Sequence, residues 1–180
     1  TFLEGIINVQ NSIEGSCSVL ILTDKGLFAA RDKYGRTPII VGKKNNSYAV
    51  TFESTAFFNL GYEKCYELGP GEILFITSDG IEVLNKSNNK LNICAFLWIY
   101  YGYPASTYEG INVEEARYRS GSLLAINDNV KPDFVAGIPD SGSSHAIGYS
   151  NQALIPYKRP FVKYTPSWSR SFMPQNQEDR

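Results

Sequence analysis

The chain has 180 residues, with 17 lysines and arginines against 18 aspartates and glutamates, for a formal net charge of -1. That balance gives no global field toward nucleic acid or an anionic bilayer, and a content of 43% hydrophobic and 19% charged residues excludes a disordered chain. No apolar run approaches the ~20 residues that span a bilayer, and no signal-peptide pattern opens the chain, so the expectation is a cytoplasmic protein without nucleic-acid or membrane partners. Cys17, Cys65 and Cys94 are odd in number and widely spaced, which favours free thiols in a reducing compartment over disulfides.

The opening "FLEGIINVQNSIEG" predicts an amphipathic helix, because Phe2, Leu3, Ile6, Ile7 and Ile13 recur at helical spacing. An N-terminal threonine can serve as a nucleophile with its own amine as base. Thr1 leads straight into this helix and reads instead as the edge of an internal slice of a longer chain. From Gly15 the pattern changes to short β-rich runs: "SCSVLILT", "GLFAARD", "PIIVGKK", "SYAVTFES" and "GEILFITSDGIEVLN". "LTDKGLF" and "ITSDGIEV" predict hairpins, since Asp and Gly tolerate the positive φ of tight turns. "STAFFNLGYE" predicts a short helix across the strands, capped by Ser54. In "RDKYGRTP", Asp32 and Gly35 are expected to shape a turn while Arg31 and Arg36 pair with neighbouring acids, a structural role.

A polar link, "NKSNNKLN", separates this hairpin-built part from a second rhythm, giving expected domains of residues 1–90 and 91–180. "NVEEARYRSGSLLAIND" predicts an amphipathic helix with acids at its positive end. "DFVAGIPD" then reads as a short buried strand, "SSHAIGYSNQA" as a second helix and "PYKRPFVKY" as another strand-like run. That β-α-β order suggests the start of a parallel sheet, so the fold class is α+β followed by α/β.

The segment "GIPDSGSSHAIGY" concentrates Asp140, three serines and His145, the single histidine of the chain. A catalytic triad would need a hydroxyl, a base and an orienting acid to converge, and here all three would have to fold back within one turn. A strand–turn–helix corner fits better, with backbone N–H groups turned toward an anion. The plainer alternative is a turn in which Ser143 or Ser144 caps the helix. His145, in the first helical turn, is expected to be packed or solvated rather than catalytic.

"RDKYGRTPIIVGK", "FES" followed by "NLGYE", "GPGEILFI", "CAFLWIYYGYPAS", "EGINVEEAR" and "GIPDSGSSHAIGY" occur in one consistent order. Together they resemble the amidophosphoribosyltransferase family, from about Gly15 to Arg180. The resemblance implies the second half of a four-layered αββα glutaminase sandwich of the Ntn-hydrolase type. It also implies the start of a type I phosphoribosyltransferase parallel sheet. In that family, ammonia from glutamine passes to phosphoribosyl pyrophosphate (PRPP) bound with Mg2+, giving phosphoribosylamine, glutamate and pyrophosphate. The implied partners are glutamine and PRPP, within a homo-oligomer. The family's nucleophilic cysteine and paired-aspartate PRPP motif have no counterpart in this chain, so the slice alone is expected to be inactive. The alternatives are a glutamine amidotransferase with another acceptor, such as a sugar phosphate, and a non-catalytic binding or regulatory relative.

The resemblance carries over residue by residue. Asp140 and Ser141, after Pro139, fall on the pyrophosphate loop, with Ser141 associated with Mg2+. Lys163, Tyr164 and Arg170 fall on the loop that closes over PRPP, although "KYTPSWSR" departs from the family's Lys-Asn-Arg-Tyr pattern. Tyr100 would line the ammonia passage. The family's glutamate and Arg-Pro-Asp triplet are replaced by Leu97 and by Tyr103, Pro104 and Ala105. Cys94 matches a ligand of a 4Fe-4S cluster in one branch of the family, but a buried thiol is the expectation here, since a cluster needs four thiolates.

Overall fold

The computed structural model describes residues 1–163 and Glu178. The chain divides into two compact units, Thr1–Ala116 and Arg117–Arg180. In the first unit, α1 (Phe2–Ser12) starts with a capping box in which Thr1 Oγ1 accepts the Glu4 N–H at 3.3 Å. The strands follow as β1 (Val19–Leu22), β2 (Leu27–Ala30), β3 (Ile40–Lys44) and β4 (Ser47–Thr51). After α2 (Thr55–Leu60) come β5 (Glu63–Glu67), β6 (Ile73–Ile76) and β7 (Ile81–Asn85). One antiparallel sheet has the order β1-β2-β6-β7, and the other β4-β3-β5. Both expected hairpins form, closed by Thr23 N–H to Gly26 O at 2.9 Å and Thr77 N–H to Gly80 O at 3.0 Å.

Period-two alternation sorts these strands into layers. Ala29, Leu74 and Ile76 of the first sheet meet Ile39, Val41 and Leu68 of the second, and all six are buried. The opposite face of the first sheet offers Ala30 and Ile73 to Ile6 of α1. On the far face of the second sheet, Phe57 of α2 lies so close to Gly42 that a Cβ there would be 2.7 Å from its ring. The layers are therefore helix, sheet, sheet, helix. Each fully buried Ile or Leu stabilises this sandwich by about 1.5–3 kcal/mol.

Ser54 stands at the N-cap position of α2, yet its side chain makes no capping bond. Its backbone is already helical, and its hydroxyl accepts the Thr107 N–H at 2.9 Å instead. Residues 91–116 belong to the first compact unit. They contain a π-helical turn, Leu97–Tyr101, and a small hairpin of β8 (Thr107–Tyr108) and β9 (Ile111–Asn112). Leu97, Tyr108 and Val113 form their own buried cluster. Glu53 ties this segment down, accepting from Ser106 Oγ at 2.7 Å and from the Tyr108 hydroxyl at 3.0 Å.

The helix α3 (Val113–Asn127) opens with Asn112 Oδ1 accepting the Glu115 N–H at 3.1 Å, and the unit division falls inside it. Its expected amphipathic character is not observed, because Leu123, Leu124 and Ile126 are all exposed. It packs on α4 (Gly142–Ala153) through small residues instead. A Cβ on Gly121 would lie 1.9 Å from His145 O, and one on Gly148 would lie 2.0 Å from Tyr118 O. Ser122 Oγ donates to Gly148 O at 3.1 Å across the same seam.

The strands expected around α4 shrink to a single parallel bridge, Val135 with Tyr157. Val135 N–H donates to Pro156 O and Lys158 N–H to Val135 O, both at 2.9 Å. The order is parallel as expected, but "DFVAGIPD" is not a buried strand, since Phe134 and Ile138 are exposed. Two segments with one neighbour each fall short of the three or so strands that make a sheet persist. Among the described residues, no helix is long and apolar enough to cross a membrane.

Candidate functional site

The most chemically loaded corner lies between Val135 and α4. Gly137 permits it: a Cβ there would come within 2.7 Å of both Gly142 O and Ser143 Cα, so the chain can double back only without a side chain. The Pro139–Asp140 peptide is cis. Gly142 N–H donates to Ile138 O at 3.0 Å and Ser143 N–H to Asp140 O at 3.2 Å. Two backbone donors that would face an anion are thus spent on the turn. Ser141 takes the N-cap position, in helical conformation and with no side-chain cap bond. The cap expected of Ser143 or Ser144 is not formed by them, because the helix starts at Gly142 and takes both into its first turn. The Ser141 hydroxyl, which has no capping duty, is what a small anion would meet there.

Lys163 reaches this corner from across the parallel bridge. Its Nζ lies 3.1 Å from Asp140 Oδ2, and the two side chains are 59% and 68% exposed. The fold therefore brings together two candidates separated by 23 residues. Tyr164 and Arg170 lie outside the described residues. His145 sits in the first turn of α4, and its backbone oxygen faces the Gly121 seam.

Tyr100 lies in the π-helical turn, 46% exposed, with its ring 5.2 Å from that of Phe96. Cys94 just precedes that turn and is exposed, not buried as expected: the segment turns Leu97 inward and leaves Cys94, Ala95 and Phe96 to solvent. All three cysteines are free, and no group of three or more His, Cys, Asp or Glu side chains is gathered among the described residues. The three cysteines of this chain cannot by themselves supply the four thiolates of a cluster. Magnesium fits differently. It keeps several waters and needs only one or two protein oxygens beside phosphate, which Asp140 and Ser141 can supply.

Elsewhere three ionisable groups are shifted by bonds that serve the fold. Tyr66 donates to Glu72 Oε1 at 2.7 Å, and that bond, with burial and the negative charge, pushes the phenol up to about 12. Burial, followed by the Glu53 carboxylate, raises Tyr108 further. Asp128 is held below the usual carboxylate range by the Val130 N–H and by the Tyr149 hydroxyl at 2.8 Å.

No family model matches the chain. Curated relatives do. The chain is 35% identical to "Amidophosphoribosyltransferase" of Bacillus subtilis over 164 residues, covering 91% of this chain and 34% of that protein. The counterpart in Staphylococcus aureus is 35% identical over the whole chain and 37% of its own length, and that of Archaeoglobus fulgidus 32% identical over 89% and 35%. A solved structure of "the allosteric regulatory enzyme of purine biosynthesis" matches 99% of this chain and 38% of its own, with a TM-score of 0.87 at 34% identity. Glutamine PRPP amidotransferase from B. subtilis complexed with ADP and GMP matches 99% and 39%, with a TM-score of 0.84. The chain spans about a third of the length of these relatives, and the resemblance carried by the sequence motifs extends over nearly all of it.

Proposed function

We propose, from this homology to part of amidophosphoribosyltransferase, that the chain forms part of a glutamine-dependent enzyme of purine biosynthesis. That enzyme transfers ammonia to PRPP, giving 5-phosphoribosylamine, glutamate and pyrophosphate. Residues 1–90 are read as part of an Ntn-hydrolase-type glutaminase domain, a reading supported by the helix–sheet–sheet–helix layering. Residues 91–180 are read as the start of a type I phosphoribosyltransferase domain, supported by the parallel bridge leading into α4. The enzyme would be cytoplasmic and homo-oligomeric, with Tyr100 lining the path of ammonia.

The observation that carries the reading is the convergence of Asp140, Ser141 and Lys163 at one corner. Lys163 supplies a mobile point charge suited to phosphate, and Ser141 an uncommitted hydroxyl. Asp140 and Ser141 would hold Mg2+ through its water-rich shell. When bound, the ion neutralises charge on the pyrophosphate leaving group. Tyr164 and Arg170 are assigned to the same ligand from sequence alone. Calorimetric titration of the chain with PRPP and Mg2+ tests the reading. Saturable binding that weakens about tenfold or more in Ser141→Ala is expected, the loss of one hydrogen bond to a charged group. Unchanged binding in that variant would remove Ser141 from the site.

A further inference from the structure

We propose that Asp140 is an internal stand-in for phosphate, holding Lys163 in the ligand-free state and surrendering it when pyrophosphate arrives. This rests on the pyrophosphate reading of the loop. Two cationic features meet at the corner: the Lys163 ammonium, and the positive end of the twelve-residue α4. One carboxylate stands next to both and pairs with the first. Asp140 lies immediately before the N-cap Ser141, and its Oδ2 is 3.1 Å from Lys163 Nζ.

The pair is placed to exchange rather than to stabilise. Both side chains are more than half exposed, and an ion pair in water holds its partners weakly. A phosphoryl group brings more charge and more acceptor oxygens than a carboxylate, so it wins Lys163 once it is close. The released carboxylate then faces an anion of its own sign. That repulsion is relieved when the pyrophosphate carries Mg2+, whose water shell Asp140 can accept from. Asp140 therefore makes the corner selective for the metal-bound ligand: it competes with bare pyrophosphate and cooperates with the magnesium complex.

Isothermal titration of the 180-residue chain with sodium pyrophosphate, with and without MgCl2, tests this on Asp140→Asn, Lys163→Met and the double variant. Without magnesium, Asp140→Asn should bind about three- to ten-fold tighter than the unmodified chain, the range expected for removing one like charge at an exposed site. Lys163→Met should bind more weakly, and in the double variant the Asp140→Asn gain should shrink to the part owed to direct repulsion of the anion. Magnesium should tighten binding to the unmodified chain more than to Asp140→Asn. Equal or weaker metal-free binding by Asp140→Asn overturns the proposal, as does a gain that survives undiminished in the Lys163→Met background. Asp140→Ala repeats the comparison if the Asn variant loses its circular-dichroism spectrum. If the unmodified chain and all variants fail to bind pyrophosphate in either condition, the anion reading itself falls and this inference with it.

Discussion

Among the described residues, Arg31 is the largest side chain withdrawn fully from solvent, and it carries a charge. Its guanidinium donates to Leu68 O, to Gly35 O at 2.6 Å and to Glu109 Oε1 at 2.6 Å, while its Nε has no partner. Removing it strands two carbonyls and a carboxylate. Arg31→Met should cost about 3 kcal/mol in urea unfolding, and Arg31→Lys should recover less than half, because one ammonium nitrogen cannot span acceptors that the guanidinium reaches from two. Tyr66 makes a pH prediction. Its folded-state value of about 12 lies above the ordinary 10, so the folded chain holds that proton longer and stability falls as pH rises through this window. Tyr66→Phe should flatten the urea midpoint's decline between about pH 10 and 12. At this scale the sequence is legible where partners are local. Asp32 accepts the N–H groups of Tyr34, Arg36 and Thr37, within five residues, as its turn pattern predicts. Arg31 does pair with an acid, but Glu109 is 78 residues away, and no local pattern encodes that distance. The Lys163–Asp140 pair is hidden for the same reason.

The elements read unevenly. Asp-Gly turns announce both hairpins, and apolar periodicity announces α1, because each signal is contained in the segment it describes. The strand β5, "EKCYE", carries no alternation of apolar residues and forms because β3 offers it a ladder, a tertiary cause. The helix α3 is predicted by its amphipathic pattern and its leading acids, yet the face it buries is not its apolar one. Its seam with α4 is backbone against backbone, so glycine is required by contact rather than by φ. Gly121→Ala and Gly148→Ala would each gain about 1 kcal/mol of helix propensity. Each should nevertheless lose about 3 kcal/mol or more net, because a carbonyl oxygen cannot rotate away as a side chain can. Near- and far-UV circular dichroism during denaturation would show this as early loss of helical signal with the β signal retained. A variant as stable as the parent would refute the seam. Gly137 at the site belongs to the same class, and its spacing beside Pro139 gave only a generic turn signal.

At the scale of the whole molecule, the first sheet ends at β1, a strand paired on one side among the described residues. Leu22 on β1 is 82% exposed, and a cleft of about 490 Å³ lined by Phe2, Ile6, Val9, Val19 and Ile21 opens beside it. Unpaired strand groups next to apolar surface recruit other chains. The isolated chain should therefore associate with rising concentration in light scattering, and Leu22→Lys should reduce that; a monodisperse parent would refute it. Sheet order also sets a timetable. β2 lies between β1 and β6, with Leu27 opposite Ile76 and Ala30 opposite Ile73. On the ribosome the β1–β2 hairpin is complete long before β6 has been made. At roughly 5–20 residues per second, it waits several seconds with the β2 edge unpaired. During that interval the nascent chain is most exposed to chaperones and to its neighbours on the same message, and the emergence of Ile73–Ile76 ends it.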